Sequence, residues 1–205
     1  MGTDIHGVFQ RLSAETGEWH DVPSGYKKRR HYQLFAVLAG VRNGTGFAGV
    51  RTGDAVTPIA EPRGLPEDFS LLDGEYHPTE REIRQPDDPT EIWMGDHSHS
   101  WLSGEEMVSW CERAPSVMHV GLISRSHYEE WDGVSTPSLY CGGISGPRVV
   151  CIEDTPWDRR AHPDWTHIRC AWRVDIKEEL KYFFDEVVRL IKEYGKIRFV
   201  FGFDS

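Results

Sequence analysis

Two short stretches gather side chains of the kind that hold metal ions. Asp4 and His6 stand two apart in "TDIHG", and Asp96, His97 and His99 fall within "GDHSHS". In extended backbone, residues i and i+2 point to the same side of the chain. The spacing therefore predicts that Asp4 and His6 share one face of their segment, and His97 and His99 one face of theirs. Were the two pairs to converge, they would form a mixed nitrogen and oxygen site suited to Zn, Mn or Fe. A divalent ion there would lower the pKa of a bound water to about 7 and polarise a phosphoryl or carbonyl oxygen. Asp4, His6, His97 and His99 are then the metal ligands, and Asp96 orients a ligand or acts as base. A helix expected directly after this stretch would add free N–H groups and a positive dipole end, favouring an anionic group beside the metal. The same residues also have a structural use, in which His97 and His99 hydrogen-bond to loop backbone and Trp101 anchors the segment in the core.

Other candidates are polar groups at turns. Arg42 and Asn43 follow a helical segment, and arginine suits bidentate recognition of phosphate or carboxylate. Arg42 is therefore assigned to grip an anionic substrate group, with Asn43 and Arg63 as further substrate contacts. Arg63 lies in "PRGLPED", whose proline and glycine fit a rigid binding loop or a plain turn. "YCGGISG" (140–146) could bring backbone close to a ligand, but it lacks the strand-to-helix setting of a phosphate loop. His119, in an apolar run, reads as a satisfied core histidine, and Cys141 has no evident activating partner. There is no GxSxG elbow and no spaced Cys/His finger.

These residues need elements to position them. Residues 3–22 alternate as a β-hairpin, with "SAETGE" as its turn. Leu34, Phe35, Leu38 and Val41 fall at helical spacing, with Gly44 as the expected stop. From about 46 to 90 the pattern dissolves into an acidic stretch holding Pro58, Pro62, Pro66, Pro78, Pro86 and Pro89, half of the twelve prolines. So long an irregular stretch suggests a lid, or a loop that wraps the core. Ile92–Met94 could be a short strand, and Ser103 with Glu106 forms a capping box that starts a helix near Gly104. Residues 117–124 read as a buried strand, 124–133 as a short helix closed by Gly133, and 148–152 as a strand. The end of the chain reads as strand (168–174), amphipathic helix (176–194, stopped by Gly195) and strand (197–203), a βαβ-like unit. The expected fold class is α+β: one domain spanning 1–205, with a mixed sheet and packed helices.

Composition narrows the function. The chain has 205 residues, enough to bury a substantial core. A formal charge of −10 opposes sequence-independent binding to nucleic-acid backbones, which needs excess Lys and Arg. The basic run Lys27–His31 is short, a solvated helix approach or a place for a small anion. Four scattered cysteines, no C-x-x-C pair and no signal peptide suggest reduced thiols in a cytoplasmic protein. No apolar run reaches membrane-spanning length, so no membrane association is expected.

"DIHG", "LFAVLAGVRNG", "PRGLPEDF", "GDHSHSWLS" and "RFVFGFD" together resemble a family of bacteriophage and bacterial proteins of uncharacterised activity. That resemblance covers most of the chain and implies a phage-encoded protein acting in the host cytoplasm. "DIHG" and "GDHS" are similar to the metal-binding boxes of calcineurin-like metallophosphoesterases, and "HSHS" to the opening of polymerase-and-histidinol-phosphatase-type phosphoesterases. Neither enzyme fold is inferred: for the first class only Met1–Thr3 precede Asp4 and no late G-H-x-H occurs, and the second class would want further histidines and carboxylates in a larger barrel. The leading expectation is a metal-dependent hydrolase, a phosphoesterase acting on a small anionic or nucleotide-like ligand. The alternative is a non-enzymatic phage effector that binds a host defence protein, its acidic charge masking a basic surface, or that sequesters a signalling nucleotide.

Overall fold

The structure, a computed structural model, describes residues 2–27, 30–46, 49–69 and 94–204. The second half of the proline-rich excursion (70–90), the expected strand at Ile92–Trp93, and Lys28 and Arg29 of the basic run lie outside the described residues.

The amino-terminal hairpin forms as β1 (Asp4–Leu12) and β2 (Trp19–Val22), paired antiparallel. β7 (Ile197–Asp204) pairs antiparallel with β1 on one side and with β3 (His97–Ser103) on the other, giving the order β2-β1-β7-β3. β7 is central, and every residue from Ile197 to Phe203 is buried. Its Phe199, Phe201 and Phe203 join Phe9 and Phe183 in an aromatic core. The opposite face carries a smaller apolar cluster of Val8, Val200 and Met94, partly covered by Leu65, Phe69 and Trp101.

A second sheet has the order β4-β6-β5. β4 (Ser116–Ser124) runs antiparallel to β6 (His167–Asp175), and β5 (Cys151–Glu153) parallel to it. Ile168, Cys170, Trp172 and Val174 alternate on the buried face of β6, as their period-two spacing predicts. The outer edge of β4 is partly covered by bridges from Gly53 to His119 and from Cys141 to Leu122, which limits its exposure as an open edge.

α1 (Tyr32–Ala39) belongs to the large core that also takes side chains from both sheets. Six consecutive residues, Leu34–Ala39, are buried, the mark of a helix enclosed on all sides. It stops at Gly40, in the left-handed conformation with φ 70°, four residues before the expected Gly44. α2 (Gly104–Glu112) starts at the Ser103/Glu106 capping box. α3 (Arg125–Glu130) and α4 (Pro156–Ala161) are short and peripheral. The carboxy-terminal helix is divided at Leu180 into α5 (Ile176–Glu179) and α6 (Lys181–Tyr194). β6 and β7, which flank it, lie in different sheets, so this strand-helix-strand unit joins the two sheets instead of closing a parallel pair. The architecture is α+β. Among the described residues, no helix is long and apolar enough to cross a membrane.

Candidate functional site

Asp4 and His6 face the same side of β1, as expected, opposite Asp204 and Gly202 of β7. Asp4 accepts a bidentate pair of bonds from Arg30, at 3.0 Å from Nε and 2.7 Å from Nη2. His6 Nε2 lies 3.3 Å from Asp204 Oδ2. His97 and His99, by contrast, do not share a face. A bulge between His97 and Ser100, with Ser98 at φ 53°, inserts an extra residue and turns the next side chains of the strand to the other face. His97 pairs and stacks with Phe203 on the core-facing side. His99 lies against Gly202 on the opposite side, with Nε2 3.0 Å from the Gly95 carbonyl.

His6 and His99 thus flank Gly202 from neighbouring strands, about two strand spacings or ~9–10 Å apart along the sheet. The Met94 carbonyl fills the space above Gly202 between them. Among the described residues, no three His, Cys, Asp or Glu side chains are grouped so as to hold a metal ion. The helix start is also displaced from the twin imidazoles. His97 and His99 belong to a strand ending at Ser103, so His97 is roughly 20 Å from the first turn of α2, beyond the reach of its dipole.

The remaining predicted residues disperse. Asp96 is exposed, with its backbone N–H bonded to the Phe203 carbonyl at 2.6 Å. Asn43 donates to the Val56 carbonyl at 2.7 Å and accepts from the Val56 N–H at 2.8 Å, which commits its amide to pinning a loop. Arg63 lies 4.8 Å from the centre of the Trp101 ring and 2.7 Å from Glu106 Oε1, covering the outer face of the four-stranded sheet. Trp101 therefore anchors the small outer cluster, whereas the core-facing neighbours Ser100 and Leu102 are fully buried.

Arg42 instead lines a cleft of about 250 Å³ with residues that the sequence had not joined: His31, Gln33, Asp54, His119, Tyr140 and Glu179. His31 and Glu179 are placed by junctions in the fold, His119 by a strand. His31 is the N-cap of α1, its Nδ1 accepting from the Leu34 N–H, so that in the neutral ring Nε2 carries the proton. His31 Nε2 lies 3.7 Å from Glu179 Oε1. Glu179 ends α5 immediately before the break at Leu180. His119 is held on β4, with Nε2 2.9 Å from Gln33 Oε1. Opposite an amide oxygen that nitrogen donates, leaving the Nδ1 lone pair to accept a proton. Arg42 is fixed by Nε donation to Thr3 Oγ1 at 2.9 Å. Arg30, bound to Asp4, also lines the cleft.

Burial tunes these groups in opposite senses. It raises the Glu179 carboxyl to about 7, and its Oε2 is buried without a hydrogen-bond partner among the described residues. Burial lowers His31, partly offset by a hydrogen bond with its own backbone, and burial also lowers His119, opposed by the Asp54 charge. Near neutral pH the imidazoles are uncharged and Glu179 is about half protonated. The His31–Glu179 contact is accordingly not a full ion pair. A cleft that sets apart the proton affinities of a carboxyl and nearby imidazoles has the makings of an acid–base site.

Two signals for this site were present in the sequence. Glu179 stands three residues after Ile176 and four before Phe183, on the apolar stripe of the helix, where a carboxylate is out of place. His119 interrupts an apolar strand. The cleft itself depends on contacts between distant segments. No protein family, curated protein or solved structure matches the chain.

Proposed function

We propose that the chain is a small-molecule hydrolase acting on an anionic, nucleotide-like substrate by acid–base chemistry in this cleft. The observation that carries the proposal is the Glu179 carboxyl, raised to about 7 and set 3.7 Å from the uncharged His31. Protonated Glu179 can donate to a leaving oxygen, and the His119 Nδ1 lone pair can accept a proton from an attacking water. Arg42, with Arg30 at the rim, supplies positive charge for an anionic group. None of these roles draws on Asp4, His6, His97 or His99 as metal ligands.

The test is turnover of a panel of phosphomonoesters, phosphodiesters and nucleotides by the purified chain between pH 5 and 9. Glu179→Gln and His119→Ala are each expected to lower kcat roughly 100-fold or more, the usual contribution of a general acid or base, with the circular dichroism spectrum unchanged. Wild-type turnover in both variants would overturn the assignment. Saturable binding lost in both variants, with no turnover of any panel member, would replace hydrolysis with sequestration.

A further inference from the structure

We infer that the cleft is one half of a bipartite site whose ligand joins a single anionic head to a flat heteroaromatic body, as a nucleoside monophosphate does. The inference rests on the cleft being a ligand site. A second cavity, of about 500 Å³, adjoins the first, and the two share Tyr32 and Thr52 as lining residues. Together they fall within the roughly 300–1,000 Å³ usual for small-molecule sites. Charge is divided between them. The cleft holds Arg42 and Glu179, whereas among the described residues no charged side chain lines the groove, which is walled by Tyr32, Val50, Ile144 and the backbone of Gly142 and Gly143.

The backbone decides what kind of body fits. Gly142–Ser145 make no backbone hydrogen bond among the described residues. An alkyl chain laid on them would remove water from their N–H and C=O groups without replacing it, at about 1–3 kcal/mol per group. The donor and acceptor edge of a nucleobase replaces those bonds while its faces meet Val50, Ile144 and the Tyr32 ring. Among the described residues nothing lies within 4 Å of the position a Cβ on Gly143 would take, which leaves room for approach. Ile144 is 42% exposed, an apolar side chain available to such a ring.

The experiment is titration calorimetry at pH 7 with the four common nucleoside monophosphates, their nucleosides and inorganic phosphate. At least one monophosphate is expected to bind tenfold or more tightly than both its nucleoside and phosphate. Ile144→Ser and Gly143→Val, neutral substitutions at exposed loop positions, should each cost that nucleotide about tenfold while phosphate binding changes less than twofold. A nucleotide that binds no more tightly than phosphate, or that ignores both groove variants, would empty the groove while leaving the cleft proposal standing. Failure of both phosphate and nucleotides to bind at millimolar concentration would overturn the cleft proposal, and the bipartite site with it.

Discussion

The His99 imidazole lies over Gly202 on the face of the four-stranded sheet opposite His97. A Cβ on Gly202 would stand 2.7 Å from His99 Cδ2 and would overlap the Met94 carbonyl oxygen. The ring can turn aside, but the carbonyl belongs to backbone laid across the end of β7. Gly202→Ala is therefore expected to destabilise the protein by about 1–3 kcal/mol, the range for overpacking a filled site. Urea denaturation measures this directly. Adding His99→Ala should not restore stability, because the Met94 carbonyl remains; full recovery would show that the imidazole alone sets the constraint.

Opposite facing also predicts how the two histidines respond to metal. Two ligands of one ion couple through it, so their double-mutant cycle changes when the ion is removed. Here His97 contacts Phe203 and His99 contacts Gly95 and Gly202. The coupling energy between His97→Ala and His99→Ala is expected to agree within about 0.5 kcal/mol, the limit for independent sites, whether measured with added zinc or with a chelator. A coupling that appears only with zinc would bring the imidazoles together around an ion.

That contrast separates the legible from the illegible parts of the sequence. Strand and helix identities follow from local signals: the hairpin, β4, β6 and β7 form where their apolar spacing puts them, and α2 starts at its capping box. The direction of His97 relative to His99 depends on one residue, Ser98, adopting a positive φ, and period-two reasoning has no term for a bulge. Similarly, Gly40 and Gly44 both follow α1 and both have positive φ, so residue type alone does not say which ends the helix. The cleft is harder still. His31, His119 and Glu179 are separated by long stretches of chain and meet only because α1, β4 and the α5–α6 break share a core. Of the cleft residues, the sequence singled out Arg42, from its place just after α1. Its companions required tertiary contacts.

On the outer face of the same sheet, Arg198 is buried between the Trp19 ring, 4.2 Å from the guanidinium, and Gln10 Oε1, 2.9 Å from Nε. Asp68 reaches in from the 61–69 segment and accepts from Nη1 at 2.6 Å. The two partners differ in exposure, at 4% for the Arg198 side chain and 61% for Asp68. Their substitutions should therefore be unequal. Asp68→Ala is expected to cost about 1 kcal/mol, since the bond is charged but water reaches the carboxylate. Arg198→Ala leaves a cavity and removes one charged donor from the buried Gln10 oxygen, a loss of about 2–4 kcal/mol. Asp68→Ala should also speed limited proteolysis within 61–69, which it ties to the sheet. Equal losses from the two substitutions would contradict this division.

Glu179 gives stability a pH dependence of known sign. Its carboxyl titrates at about 7 in the folded chain against 4.5 as the ordinary value, so between those values the folded state holds more of its proton than the unfolded state does. Stability must then fall as pH rises through that window. His31 and His119, both lowered by burial, act in the opposite direction: stability is lost as pH falls below the ordinary histidine value and the unfolded chain takes up their protons. Glu179→Gln removes only the first dependence, because the amide stays neutral throughout. The variant should gain about 1–3 kcal/mol relative to the native chain between pH 4.5 and 8, a range reduced from the full linkage value because Glu179 keeps partial contact with water. Urea midpoints of both proteins across that interval provide the measurement. A difference between them that does not change with pH would mean that Glu179 is ionised throughout, and would remove the general acid from the cleft.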